Sequence, residues 1–249
     1  MALLSPEEYE NKIYALEDLL TKTQERLEIV KIENQILRRI CSGGNSDDAT
    51  LGSLLNSLTD LNVDTAKELV KRGDSELSFN GVTDLRVDVV RELVKWEDFE
   101  VSLSFNGVTD LRVDVVRELV KWEGSYHSLS FNGVTDLRVD VVRELVKWNG
   151  GALSLNGLTD LRVDVVRELV KWVGSGLSLN GLTDLSVDVV KELVKWEVSE
   201  LSLNGLTDLR VDVVRELVKW NGDALSLSFD GVTDLSVDVV RELVKWNGG

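Results

Sequence analysis

Histidine and cysteine are almost missing from this chain, which has one of each, His127 and Cys41, in 249 residues. One cysteine excludes an intrachain disulfide and a cysteine-rich zinc site, and one histidine excludes His-based metal centres and most His-dependent triads. Basic residues are also short: 28 Lys and Arg face 44 Asp and Glu, a formal net charge of −16. That charge repels phosphate backbones and anionic lipid, which sets aside nucleic acid and membrane surfaces as partners. Long apolar runs are missing too. No stretch reaches the roughly 18 residues of a membrane span, and Met1–Glu10 has neither the basic region nor the apolar core of a signal peptide. These features predict a soluble, cytoplasmic protein without a cofactor.

What the chain has in abundance is itself. Aligned on one glycine, the sequence repeats at Gly81, Gly107, Gly133, Gly157, Gly181, Gly205 and Gly231, with Ser57 at the same place in a degenerate first copy. That makes eight units spaced by 24 or 26 residues. The longer spacings carry two extra residues before the Asn, as in Ser102-Leu103-Ser104-Phe105 against Leu177-Ser178-Leu179. Two residues is one strand period, so inward and outward faces survive the insertion.

Within a unit, Leu177-Ser178-Leu179 alternates as a short strand does, and Asn180-Gly181 supplies a turn tolerant of positive φ. Val187–Trp196 instead places Val187, Val190 and Val194 on one helical face, with Val189, Leu193 and Trp196 beside it and Asp188, Lys191, Glu192 and Lys195 toward water. Ser186 is placed to cap this helix, Asp188 sits at its positive end and Lys195 at its negative end. A helix of under three turns is marginal alone and must be buried on its own strand and on neighbouring units.

The series Leu177-x-Leu179-x-x-Leu182-x-x-Leu185, followed by a helix, resembles the core of a leucine-rich repeat, in a variant of 24 and 26 residues like the bacterial type. The resemblance covers about residues 51–249. It departs from the family pattern in having Leu182 where the family has Asn or Cys, with Asn180 two residues earlier. It implies an α/β solenoid, a right-handed stack of parallel strands with convex-side helices, and protein binding as the commonest use. Eight strands at about 4.8 Å would span about 34 Å.

Several side chains recur at one position each. Trp96, Trp122, Trp148, Trp172, Trp196, Trp220 and Trp246 fall in the last turn of the helix beside the valine face, which makes them a buried aromatic ladder rather than a platform for sugars or bases. Asn80, Asn106, Asn132, Asn156, Asn180 and Asn204 predict a turn ladder. Thr183-Asp184 and its copies have the spacing of a calcium ladder, but each unit's Arg and Lys neutralise its acids, as Arg86, Arg91 and Lys95 do for Asp84, Asp88 and Glu92. Outward strand positions read Ser78, Ser104, Ser130, Ser154, Ser178, Ser202 and Ser228, a uniform row with little anchoring area. Such a row suits a periodic partner: another copy, a polymer, or an ice or mineral face. The connectors vary most, and they hold Phe99, Tyr126 and His127, the places for a specific partner or for tolerated loop variation.

The N-terminal segment is a different module. Ser5-Pro6-Glu7-Glu8 marks a helix start, and apolar residues then alternate at three and four: Tyr9, Ile13, Leu16, Leu20, Thr23, Leu27, Val30, Asn34, Leu37 and Cys41. Residues 5–41 thus form a heptad seam in which Asn34 favours a two-stranded, in-register coil. Across a parallel dimer Lys12 would meet Glu17 and Glu33 would meet Arg38, while Arg26 against Lys31 is repulsive. A second stripe, Ile29, Ile32, Ile36 and Ile40, leaves a larger bundle or docking of the helix on the repeats open. Residues 42–50 read as a flexible linker, and residues 51–74 as a modified first unit that caps the stack.

Together these readings predict a non-enzymatic scaffold that assembles with itself through the coiled coil and through an uncapped last repeat carrying Leu227, Phe229, Val240 and Trp246. A protein-binding adaptor is the alternative. Paired carboxylates recur identically, and no copy departs to form a catalytic or metal site.

Overall fold

Leu-Ser-Leu and Leu-Ser-Phe triplets form the strands, and the Val-Asp-Val-Val-Arg-Glu-Leu segments form the helices. The computed structural model of the protein describes residues 6–41, 48–196, 200–220 and 226–246. Three helices come first, α1 (Pro6–Cys41), α2 (Asp48–Ser57) and α3 (Val63–Arg72). Strands and helices then alternate: β1 (Glu76–Ser78), α4 (Val87–Leu93), β2 (Ser102–Ser104), α5 (Val113–Leu119), β3 (Gly124–Ser130), α6 (Val139–Leu145), β4 (Gly150–Ser154), α7 (Val163–Leu169), β5 (Gly176–Ser178), α8 (Val187–Leu193), β6 (Glu200–Ser202), α9 (Val211–Leu217), β7 (Ser226–Ser228) and α10 (Val237–Leu243). The strands make one parallel sheet in chain order, β1 to β7. This is an open α/β solenoid.

Register is set by one leucine per strand: Leu77, Leu103, Leu129, Leu153, Leu177, Leu201 and Leu227 pair in sequence. That pairing moves the two extra residues of the longer units. They were expected within the strand, but Leu103 aligns with Leu177, so the insertion falls in the connector before it. Between β3 and β4 the shift lies between Gly124 and Ser128.

The core of a unit is Leu77, Phe79, Val82 and Leu85 from the strand and turn, with Val89, Val90, Leu93 and Trp96 from the helix, all buried. The corresponding Val187 and Val194 of the expected helical face are only partly buried, because the face turned to the sheet is centred on Val189, Val190 and Leu193. Spacing widens across the stack. Hydrogen-bonded strands sit about 4.8 Å apart, the stacked Phe79, Phe105 and Phe131 rings 5.3 and 5.7 Å, and the Trp122, Trp148 and Trp172 rings 6.4 and 6.0 Å. The solenoid therefore curves with its sheet on the inside.

Gly81 and its copies are needed for a reason other than positive φ, which the Asn-Gly turn does not adopt here. A Cβ on Gly107 would fall inside contact distance of the Asn80 and Val82 carbonyl oxygens of the preceding unit. Glycine lets successive turns stack backbone on backbone.

The first unit differs from expectation. It contributes a helix, α2, in place of an eighth strand, and α2 begins at Asp48, inside the segment expected to be a linker. Leu51, Leu55 and Leu58 are buried; their spacing of four and three is helical, and Ser53 stands where strands carry leucine. The helix lies beside β1 at the sheet edge, which closes an edge that would otherwise expose unpaired backbone. The end of α1 completes the cap. Ile36 is fully buried, Ile32 and Ile40 pack beside it, and Glu33 is buried where Asn62 donates hydrogen bonds to its carboxyl, whose pKa burial still raises above the ordinary value. Glu33 is thereby unavailable for the expected pairing with Arg38 of a second chain. The second apolar stripe of α1 docks on its own repeats, while residues Glu7 to Glu28 show no burial where described. The capping Ser5 and the Ser42–Ser46 joint lie outside the described residues.

Candidate functional site

Three ladders run along the stack. The tryptophans are buried through Trp220, and each indole N–H from Trp122 to Trp246 donates to the backbone carbonyl of the tryptophan before it, at 2.8–3.3 Å. Trp96 follows Arg72 rather than a tryptophan, and Asp98 supplies its acceptor at 2.8 Å. Asparagine makes the second ladder. The Asn106 Oδ1 accepts from Ser130 Oγ and Asn132 N–H, and the same pair of bonds recurs at Asn80, Asn132, Asn156 and Asn180. Asn56 of the first unit extends the series by accepting the Asn80 N–H. Ser104, Ser130, Ser154, Ser178 and Ser202 thus spend their hydroxyl protons inside the protein, on a concave groove of ≈ 600 Å³.

Charge forms the third ladder. On the convex side Arg91, Arg117, Arg143 and Arg167 reach Glu118, Glu144, Glu168 and Glu192 of the next unit at 3.2–3.4 Å. Those glutamates sit below the usual carboxylate range, first because the lysine three residues further on, just past the helix end, hydrogen-bonds each of them. Asp84, Asp136 and Asp184, the series read as a calcium ladder, face Arg112, Arg162 and Arg210 at 3.4–3.6 Å. At these three positions an arginine of the next unit stands against the carboxylate.

Among the connector residues the three expected contacts separate. Phe99 and Tyr126 come together, ring centroids 4.6 Å apart, and stay 74% and 59% exposed. His127 does not join them on the surface. It is buried, stacked on Trp122 at 4.3 Å, and its Nδ1 accepts the Val101 N–H at 3.2 Å. Burial lowers its pKa. Alternation along β3 accounts for this: neighbours point to opposite sides, so exposing Tyr126 turns His127 inward.

No protein-family model matches the chain. No curated protein matches it in sequence. It is similar to a solved structure, the crystal structure of the Rad7 and Elc1 complex in yeast, at 15% identity and a TM-score of 0.34, over 98% of this chain and 78% of that chain.

Two apolar surfaces remain at the ends of the described solenoid. On α1, Ile13, Leu16, Leu20, Leu27 and Val30 are 48–64% exposed, Asn34 is exposed and Leu37 half-buried. Leu19 and Tyr14 broaden this stripe beyond the expected seam. In the eighth unit Val240 is 42% exposed although Val90, Val116, Val142, Val166, Val190 and Val214 are fully buried. Leu235 is exposed beside it, and Phe229 and Trp246 are partly covered; of Leu227 only the backbone is described. No helix among the described residues is long and apolar enough to cross a membrane. Sequence reasoning missed Asp98 and Glu33. Asp98 was legible as the acid standing where later connectors carry Gly124, Gly150, Gly174 and Gly222, and Glu33 as the one charge inside the isoleucine stripe.

Proposed function

We propose that this leucine-rich-repeat-like protein is a non-enzymatic structural scaffold that associates with copies of itself through α1. The supporting observation is the division of that helix into two stripes. One is spent on the repeats, and the other stays in water over a length that an isolated helix does not sustain cheaply. Burying an aliphatic side chain of this kind is worth about 1.5–3 kcal/mol, and each chain offers at least five. Pairing of two α1 helices in parallel, with Asn34 facing Asn34, uses that surface. The open face of the eighth unit, around Phe229, Val240 and Trp246, is a second contact for another copy, and contacts at both ends would extend the assembly.

Sedimentation of the full chain tests the reading. A dimer or larger species is expected at micromolar concentration, and a Leu20→Glu, Leu27→Glu double variant is expected to lose one level of association with its circular dichroism otherwise intact. A monomeric wild type would sink it.

A further inference from the structure

We propose that the Phe99–Tyr126 pair is a docking site for an arginine-bearing basic segment of another protein. This site stands apart from the self-association surfaces and does not depend on them.

The two rings come from adjacent units, Phe99 from the connector before β2 and Tyr126 from the stretch of β3 between Gly124 and Ser128 where the register shifts. Both segments are anchored from below. Val101, two residues after Phe99, is fully buried, and its N–H is held by His127, the residue next to Tyr126. The pair is therefore a fixed platform, and rigid aromatic surface loses little entropy on binding. Its chemistry selects the occupant. Exposed Glu97, Glu100 and Glu123 flank the rings, and neither segment contains Lys or Arg. The basic residues nearest in sequence, Lys95 and Lys121, are engaged by Glu92 and Glu118 at 2.7 and 2.8 Å. An aromatic face inside a carboxylate rim suits a guanidinium, which stacks on rings and bonds carboxylates at once. A strand-like or acidic partner finds neither.

The probe is a blocked peptide of alternating arginine and glycine, with its lysine counterpart, titrated calorimetrically into the full chain at low and moderate salt. The arginine peptide is expected to bind several-fold more tightly than the lysine peptide and to weaken with salt. Phe99→Ser or Tyr126→Ser, both at exposed positions, should each weaken it about tenfold, and neutralising Glu97, Glu100 and Glu123 to Gln should abolish it. Neutralising Glu7, Glu10 and Glu17 on α1 should change it less than twofold. The proposal is overturned by absent binding, by equal affinity for the two peptides, by indifference to the aromatic substitutions, or by an equal loss from the α1 control. A change in sedimentation of the Phe99→Ser chain would identify the occupant as a second copy and overturn it as well.

Discussion

His127 shows how much one side chain holds. It accepts a backbone N–H, stacks on an indole and leaves no room for a Cβ at Gly124. The first of these needs an unprotonated Nδ1, and burial disfavours the charged ring, so its folded pKa lies below 6.5, chiefly through desolvation. The unfolded chain therefore binds the proton more readily, and this contribution to stability is complete above about pH 6.5 and declines as pH falls through the window down to the folded pKa. Urea midpoints measured from pH 7.5 to 5 should fall, and His127→Asn should flatten that slope at a cost of about 1 kcal/mol in lost ring stacking. An unchanged slope in the variant would assign the acid sensitivity elsewhere. The asparagine ladder gives a second residue-scale expectation. Asn132→Ala strands the Asn156 N–H and the Ser154 hydroxyl, a loss of about 1–3 kcal/mol, whereas Asn132→Asp keeps the acceptor and should cost less in the same denaturant titration. Asp230 occupies the equivalent position in the eighth unit, and its own N–H still bonds to Asn204.

At the scale of elements, the chain announces its helices and strands through periodicity, and where periodicity is ambiguous the reading slips. Val189, Val190, Leu193 and Trp196 fall on one helical arc, and Leu177 and Leu179 on one strand face, so their burial was legible. The insertion was nevertheless misplaced, although the sequence locates it: Leu103 and Leu177 both stand four residues before Gly107 and Gly181, whereas Trp96 precedes Leu103 by seven residues and Trp172 precedes Leu177 by five. The pairing of Leu103 with Leu129 and onward to Leu177 places the extra residues in the connector in the same way. The first unit was misread for a related reason: alignment to later copies suggested a strand, although Leu51, Leu55 and Leu58 already had helical spacing. The exposed connector aromatics were legible as variation, but the inward turn of His127 depends on which way β3 alternates. The α1 helix was legible as two stripes, and its docking stripe was distinguishable from its seam only by Glu33, a charge whose partner Asn62 is remote in sequence.

For the whole molecule, stability is a sum over neighbours, because each unit touches only the next. Opening should therefore begin where a neighbour's cover is thinnest among the described units. Val240 and Leu235 lie exposed in the eighth unit while their counterparts are buried, and amide exchange should show protection rising from α10 toward units three to six. Uniform protection would mean that the stack opens as one piece. The ladders add a sense of direction. Tryptophan N–H, asparagine N–H and serine hydroxyl all donate toward the N-terminal side, so every interior junction is the same plug entering the same socket, whether the intervening connector is short or long. A gene encoding such an array can gain or lose whole units by unequal exchange without adjusting either side of the new seam. The exception is the first junction, where Asp98, in the same unit as Trp96, supplies the acceptor that a preceding tryptophan carbonyl supplies elsewhere; a later unit placed directly after the first would leave its indole without one.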